Sequence, residues 1–96
     1  MSALKKLNEA EVSSAEGFTV KYGRDTLTYS EGGRSVIVPI EHLGQPYELA
    51  VYLDLASVWT VKGRPEGEIS SVELDILERK IRECLTFLHR NFSVRR

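Results

Sequence analysis

Cysteine is almost missing from this chain of 96 residues, since Cys84 is the only one. A single thiol excludes an intramolecular disulfide. No apolar run approaches the ~20 residues of a membrane-spanning helix, and the lysines near the start are not followed by the apolar stretch of a signal peptide. We therefore expect a cytoplasmic protein that does not enter a membrane.

Residues suited to catalysis or metal binding are also scarce. The only histidines, His42 and His89, form no short zinc-binding spacing with each other or with Cys84. Cys84 falls on an apolar stripe, where a thiol usually behaves as a small hydrophobe with a raised pKa. The Gly32-Gly33 pair lacks the sequence context of a phosphate-binding loop. We expect no metal, no cofactor and no enzymatic activity.

Charge is close to balanced overall but is unevenly distributed. The formal net charge is −1, so no strong overall field selects a nucleic acid or an acidic membrane. Residues 79–96 hold six Lys/Arg and one acid, a balance of +5, whereas the other 78 residues hold seven bases and thirteen acids, a balance of −6. The basic end leaves an alternative function open, a nucleic-acid-associated module that uses Arg79, Arg82, Arg90, Arg95 and Arg96.

A β-hairpin is the first clear element of structure. Apolar residues alternate with polar ones on both sides of Gly32-Gly33, a pair that tolerates the positive φ angles of a two-residue turn. The predicted register is Glu31 opposite Arg34, Tyr29 opposite Val36 and Leu27 opposite Val38. Residues 18–22 also alternate and predict a preceding strand. Pro39 is expected to end the second arm, with a loop over residues 41–46.

Period-two alternation over residues 47–55 predicts a longer strand. If Leu49, Val51 and Leu53 point at the helix, then Glu48, Tyr52 and Asp54 share the opposite face. A tyrosine between two carboxylates suits recognition of a basic partner, although a sheet packed against one helix often has a solvated second face of the same composition. These three residues are our sequence-based candidates for partner binding. Residues 58–61 extend or follow this strand, and a loop is expected over residues 62–68.

The helix is the best-marked element. Ser70 and Glu73 have the spacing of a capping box, and apolar residues then recur at helical period. These are Leu74, Leu77, Ile81, Cys84, Leu85 and Leu88. Asn91 is the expected left-handed terminator, and residues 92–94 suggest a short final strand.

Together these elements predict an α+β protein. Its small antiparallel sheet, made of the hairpin and further strands, is covered on one face by a single long C-terminal helix. Residues 18–96 form the domain, and residues 1–17 are an N-terminal arm that is either disordered or a short helix.

The ordered features resemble the Immunity protein 74 family, small α+β proteins of bacterial polymorphic-toxin systems. The resemblance covers roughly residues 24–94. It is carried by Tyr29, Gly33-Arg34, Val36-x-Val38-Pro39, the alternating strand from Tyr47 to Leu55, Trp59, Pro65 and Ile69-Ser70-x-x-Glu73 followed by Ile81, Leu85 and Leu88. The helix departs from the family pattern at Arg82-Glu83-Cys84 and at His89-Arg90.

This resemblance implies an immunity protein that binds a cognate toxin domain in the cytoplasm and neutralises it stoichiometrically. Such a protein needs no catalytic residues. The identity of the toxin, the affinity and the oligomeric state are not encoded in any recognisable motif. A small enzyme is a third hypothesis, and it predicts a concave pocket with a titratable group of perturbed pKa.

Overall fold

The computed structural model describes residues 4–8, 10–44, 48–56 and 58–96. Within these residues it contains nine strands, one α-helix and one 3₁₀ turn. The strands are β1 Leu4–Asn8, β2 Glu11–Ser14, β3 Phe18–Tyr22, β4 Thr26–Glu31, β5 Arg34–His42, β6 Leu49–Tyr52, β7 Val58–Val61, β8 Arg64–Glu68 and β9 Phe92–Arg95. The 3₁₀ turn is Leu53–Leu55, and the helix α1 is Ser71–Phe87.

The sheet is larger than expected and is mixed. Seven strands are hydrogen-bonded in the order β1-β2-β3-β4-β5-β6-β9, while β7 pairs with β5 and β8 pairs with β7. Strand β9 runs parallel to β6, and the other pairs are antiparallel. The α+β class is therefore confirmed, whereas the prediction of a small antiparallel sheet is wrong. The parallel pair arises because the chain returns to β6 only after crossing through α1.

The predicted hairpin is confirmed in register. Strands β4 and β5 pair with Glu31 opposite Arg34, Tyr29 opposite Val36 and Leu27 opposite Val38. Gly32 and Gly33 have φ angles of 59° and 83°, values that glycine adopts without steric cost. The expected strand over residues 18–22 is present as β3.

The described residues of the N-terminal region form two strands rather than a helix or a disordered arm. Strand β1 pairs with β2, and β2 pairs with β3, so residues 4–8 and 11–14 extend the sheet. Val12 is fully buried and belongs to the core. The expectation for residues 1–17 is thus corrected, because alternate residues of β2 bury one side against the core. Residues 1–3 and 9 lie outside the described part of the chain.

Strand β5 continues beyond Pro39, contrary to the expected stop. Pro39 pairs with Thr26 at the end of β4, and from Ile40 onward β5 pairs with β6. Proline is tolerated where a ladder ends, because its missing N–H removes little pairing there. The predicted strand over 47–55 is also shorter, since β6 ends at Tyr52 and a 3₁₀ turn follows. Residues 45–47, which include Tyr47, lie outside the described residues.

The expected loop over residues 62–68 is a hairpin instead. Lys62 and Gly63 have φ angles of 53° and 79°, and they connect β7 to β8. Strand β8 contains Pro65, and all five of its residues are exposed. Proline and charged side chains are common on edge strands. The sequence of β8 has the composition of a loop, which explains why hydrophobic periodicity did not predict this strand.

The helix begins as predicted and ends differently. The Ser70 hydroxyl accepts a 3.1 Å hydrogen bond from the Glu73 N–H, and the Glu73 carboxylate accepts one from the Ser70 N–H, which confirms the capping box. At the other end the left-handed residue is His89, with φ of 58°, rather than Asn91. The His89 and Arg90 amides donate to the carbonyls of Thr86 and Leu85, which is the pattern of a Schellman cap.

A single hydrophobic core joins the helix to the sheet. The helix contributes Leu77, Ile81, Cys84 and Leu85, and the strands contribute most of the remaining buried side chains. Trp59 is 5% exposed and belongs to the same core. Within the described residues, no helix is long and apolar enough to cross a membrane.

A candidate binding cleft beside the β5–β6 pair

An open cleft of about 510 Å³ lies where β5 extends past β4 and pairs with β6. The segment between β3 and β4, the end of β5, the last residue of β6 and the 3₁₀ turn supply its walls. Its lining residues are Arg24, Asp25, Pro39, Ile40, Glu41, His42, Tyr52 and Leu55. The volume falls within the range of roughly 300–1,000 Å³ that is usual for ligand sites. We call this feature the β5–β6 cleft.

Tyr52 and Glu41 form the central polar contact of the β5–β6 cleft. The Tyr52 hydroxyl donates a 2.9 Å hydrogen bond to Oε1 of Glu41. This bond raises the pKa of Tyr52, because it is made to a carboxylate that would repel the phenolate, and Asp54 adds to the same effect. Tyr52 is therefore a neutral hydroxyl that fixes the position of the Glu41 carboxylate.

Backbone and imidazole contacts hold the segment between β3 and β4 against β5. The Ile40 N–H donates a 2.9 Å hydrogen bond to the Asp25 carbonyl. The His42 Nε2 atom lies 2.9 Å from the Gly23 carbonyl oxygen, at hydrogen-bond distance. These two contacts bring Arg24 and Asp25 to the cleft, although neither belongs to a strand.

The wall of the β5–β6 cleft also contains exposed apolar surface. Leu55 is 60% exposed and lies beside Pro39 in the lining. Ile37 is 54% exposed and precedes Pro39 by two residues in β5, so both project from the same side of the strand. An aromatic hydroxyl, carboxylates and an exposed leucine thus line one cleft, a composition that suits protein recognition.

The three sequence-predicted residues have different positions relative to the cleft. Tyr52 lines it. Asp54 is exposed in the 3₁₀ turn and is close enough to Tyr52 to influence its hydroxyl, but does not itself line the cleft. Glu48 precedes β6, and its carbonyl accepts a 2.8 Å hydrogen bond from the Leu43 N–H. Its side chain is not among the lining groups.

Two important lining residues were missed by sequence reasoning. Glu41 was expected in a loop, because Pro39 was taken as the end of the strand. Leu55 was expected to belong to the strand over residues 47–55, whereas it lies in the 3₁₀ turn. The sequence did contain a signal for Glu41. It lies two residues beyond Pro39, so in a strand that continued past Pro39 it would project from the same side as Ile37.

The five arginines of the alternative function lie among carboxylates or beside tyrosine rings. The Arg96 Nη1 atom lies 2.7 Å from Asp75 and 3.0 Å from Glu78, and the Arg82 Nε atom lies 2.8 Å from Glu78. Arg79 lines the same small depression as these groups. The guanidinium of Arg90 lies over Tyr22, and that of Arg95 lies 5.8 Å from the Tyr52 ring centroid.

A second polar network lies between α1, the β4–β5 hairpin and β7. The Trp59 Nε1–H donates a 3.1 Å hydrogen bond to Glu73, and the Arg34 guanidinium stacks 3.7 Å from the Trp59 ring centroid. The Tyr29 hydroxyl donates a 2.7 Å hydrogen bond to Glu31. Because each of these groups has a partner and adjoins the core, the network serves to join α1 to the sheet.

Two further observations concern possible chemistry. Cys84 is buried, as its place on the apolar stripe predicted, and burial raises the pKa of its thiol to about 12. Among the described residues, no group of three or more His, Cys, Asp or Glu side chains is arranged to hold a metal ion.

Comparison of the chain with protein-family models, with curated proteins and with solved structures gave no match in any of the three.

Proposed function

We propose that this chain is an immunity-type protein that binds a cognate bacterial toxin domain in the cytoplasm and neutralises it stoichiometrically. The observation that supports this most directly is the β5–β6 cleft, where Tyr52 and Glu41 lie beside exposed Leu55. Protein interfaces are built around such aromatic and apolar anchors with polar groups at their rim. The resemblance of residues 24–94 to the Immunity protein 74 family supports the same function.

The packing of the helix fits this proposal. The buried residues of α1 share one core with inward-facing residues such as Val38, Ile40 and Val51. We infer that α1 covers one face of the sheet. Glu41 and Tyr52 alternate in sequence with Ile40 and Val51, so they project from the opposite face and are accessible to a partner.

Neutralisation of this kind operates by occupation of a toxin surface. An interface of roughly 1,200–2,000 Å² in total, with a few anchor residues, is sufficient for a specific complex. In this proposal Tyr52 is the central anchor, Glu41 and Asp54 supply flanking negative charge, and Glu48 contributes at the rim. No step of the proposed mechanism needs a cofactor, a metal or a covalent intermediate.

The test uses the product of the reading frame that neighbours this gene. Its C-terminal domain is produced in cells with and without the chain, and growth is measured. The two purified proteins are then mixed and analysed by size-exclusion chromatography and calorimetry. We expect restored growth and a complex of fixed stoichiometry. Absence of both protection and complex formation would contradict the proposal, as would turnover of a small substrate by the pure chain.

A further inference from the structure

We propose that the β5–β6 cleft receives an arginine side chain of the partner protein. This inference rests on the proposed function, because it specifies what the partner presents to the cleft. The occupant is a guanidinium group that lies between the carboxylates of Asp25 and Glu41, with its aliphatic stem against Leu55 and Pro39. All four residues line the cleft.

The charge of this part of the chain favours a cationic occupant. Between Arg34 and Lys62 there is no lysine or arginine, while Glu41, Glu48 and Asp54 give these residues a formal charge of −3. Asp25 adds a further carboxylate to the lining, and Arg24 is the one cation among the lining residues. Within the lining itself the balance is two carboxylates against one guanidinium, or −1. A complementary partner therefore carries positive charge.

The carboxylates have free hydrogen-bonding capacity. Oε1 of Glu41 accepts the Tyr52 hydroxyl, and its Oε2 atom has no protein partner in the described part of the chain. The Asp25 carboxylate likewise forms no ion pair or hydrogen bond with the described residues. An ionised carboxylate offers about four acceptor sites. A guanidinium, with five N–H donors in a planar fork, can bond to both groups at once.

The Tyr52 ring favours arginine over lysine. Guanidinium groups stack on aromatic rings, whereas an ammonium is a more strongly hydrated point charge. The ring already has one guanidinium near it, since Arg95 lies 5.8 Å from its centroid. Arg95 does not line the cleft, so the cleft leaves part of the ring available to a second cation.

The proposal can be tested without knowing the partner. The probe is N-acetyl-arginine amide, which is titrated into the ¹⁵N-labelled full chain while backbone amide shifts are recorded. N-acetyl-citrulline amide has nearly the same shape without the charge, and N-acetyl-lysine amide has the charge without the planar fork. We expect saturable shifts for the arginine probe at residues 24–25, 39–42 and 52–55, weaker shifts with lysine and none with citrulline.

Variants test the assigned roles. Glu41→Gln preserves the acceptor for Tyr52 and removes the charge, so we expect binding of the arginine probe to weaken about fivefold, as loss of roughly 1 kcal/mol implies. Asp25→Asn is expected to act in the same direction, and Arg24→Gln to tighten binding. The control is Glu66→Gln on the exposed strand β8, which should bind the probe like the parent.

The outcomes separate this inference from the proposed function. Equal shifts with citrulline, or shifts spread over the whole surface, would overturn the arginine site even if the chain protects cells from a toxin. Binding of the arginine probe together with a failure to protect cells would refute the immunity function and leave the chemistry of the cleft intact. Retained protection by Glu41→Gln and Asp25→Asn at parental affinity would also remove the arginine site.

Discussion

The ammonium group of Lys80 lies 3.3 Å from Oε2 of Glu31 and 3.3 Å from the Tyr29 hydroxyl. The Lys80 side chain is only 12% exposed, so this contact is largely removed from solvent. It joins the middle of α1 to the turn end of the β4–β5 hairpin, two elements separated by about fifty residues. The helix is therefore joined to this hairpin by a specific polar contact as well as by apolar packing.

Replacement of Lys80 should measurably destabilise the protein. Lys80→Ala leaves Glu31 and the Tyr29 hydroxyl without their cation, and we expect a loss of about 1–3 kcal/mol in the free energy of unfolding. Lys80→Met keeps most of the aliphatic packing and separates the loss of charge from the loss of volume. Arg79→Ala, an exposed neighbour, is the control and should change stability by less than about 0.5 kcal/mol. Denaturant unfolding measures all three, and equal effects of Lys80→Ala and Arg79→Ala would contradict the role of the contact.

Stability should fall in mild acid, in part through Glu31. The hydrogen bond from Tyr29, together with Lys80, lowers the pKa of Glu31 below its usual value near 4.5. Because the folded-state pKa is the lower one, ionised Glu31 stabilises the protein above about pH 4.5, and this contribution disappears as pH falls through the folded-state pKa. Glu31→Gln should therefore be less stable than the parent at pH 7, with a difference that shrinks below pH 4.5. Stability curves that stay parallel from pH 7 to pH 3 would disprove this.

Local sequence chemistry accounts for the parts of the fold that were predicted correctly. A two-residue Gly32-Gly33 turn permits one register, so the β4–β5 pairing followed from the turn alone. The Ser70–Glu73 capping box is equally local, and it placed the start of α1 correctly. Pairings that join distant segments carried no such signal. Residues 92–94 predict a strand, but nothing in them specifies a parallel partner at β6.

The candidate site was only partly predictable from the sequence, because much of it also depends on contacts that leave no local signal. Tyr52 was found because alternation places it on the side away from the core. The cleft around it depends on three features that period-two patterning does not encode. These are the continuation of β5 past Pro39, the 3₁₀ turn that exposes Leu55 and the contact between Ile40 and the Asp25 carbonyl. Each is set by tertiary packing rather than by residue type.

Alanine at the sequence-predicted residues should weaken the proposed toxin binding unequally. In the complex with the neighbouring gene product, Tyr52→Ala is expected to cost about 2 kcal/mol or more, the scale of an interface anchor. Asp54→Ala and Glu48→Ala should cost less than about 1 kcal/mol each, because neither lines the cleft. Calorimetry on each variant measures these values. Unchanged binding and protection by the variant with alanine at all three positions would show that the interface lies elsewhere.

Nucleic-acid binding should be weak or undetectable. Arg82 and Arg96 are engaged by Asp75 and Glu78, so phosphates would have to compete with carboxylates already in contact. We expect no saturable change in fluorescence anisotropy with labelled single-stranded RNA or duplex DNA at low salt. A salt-dependent affinity that falls when Arg79, Arg82, Arg90, Arg95 and Arg96 are replaced by alanine would instead favour the alternative function.

The end of α1 offers a stabilising substitution. His89 has a φ of 58°, a left-handed conformation that costs a residue with a Cβ about 1–2 kcal/mol. Glycine avoids this cost but loses more conformational entropy on folding, so His89→Gly should stabilise the protein by a net ~0.5–1 kcal/mol. The matched control is Asn91→Gly. Asn91 is not among the residues with positive φ, so glycine there gains nothing and adds flexibility to the unfolded chain. Thermal unfolding of both variants decides the point, and greater stability of Asn91→Gly than of His89→Gly would show that the left-handed cap is at Asn91.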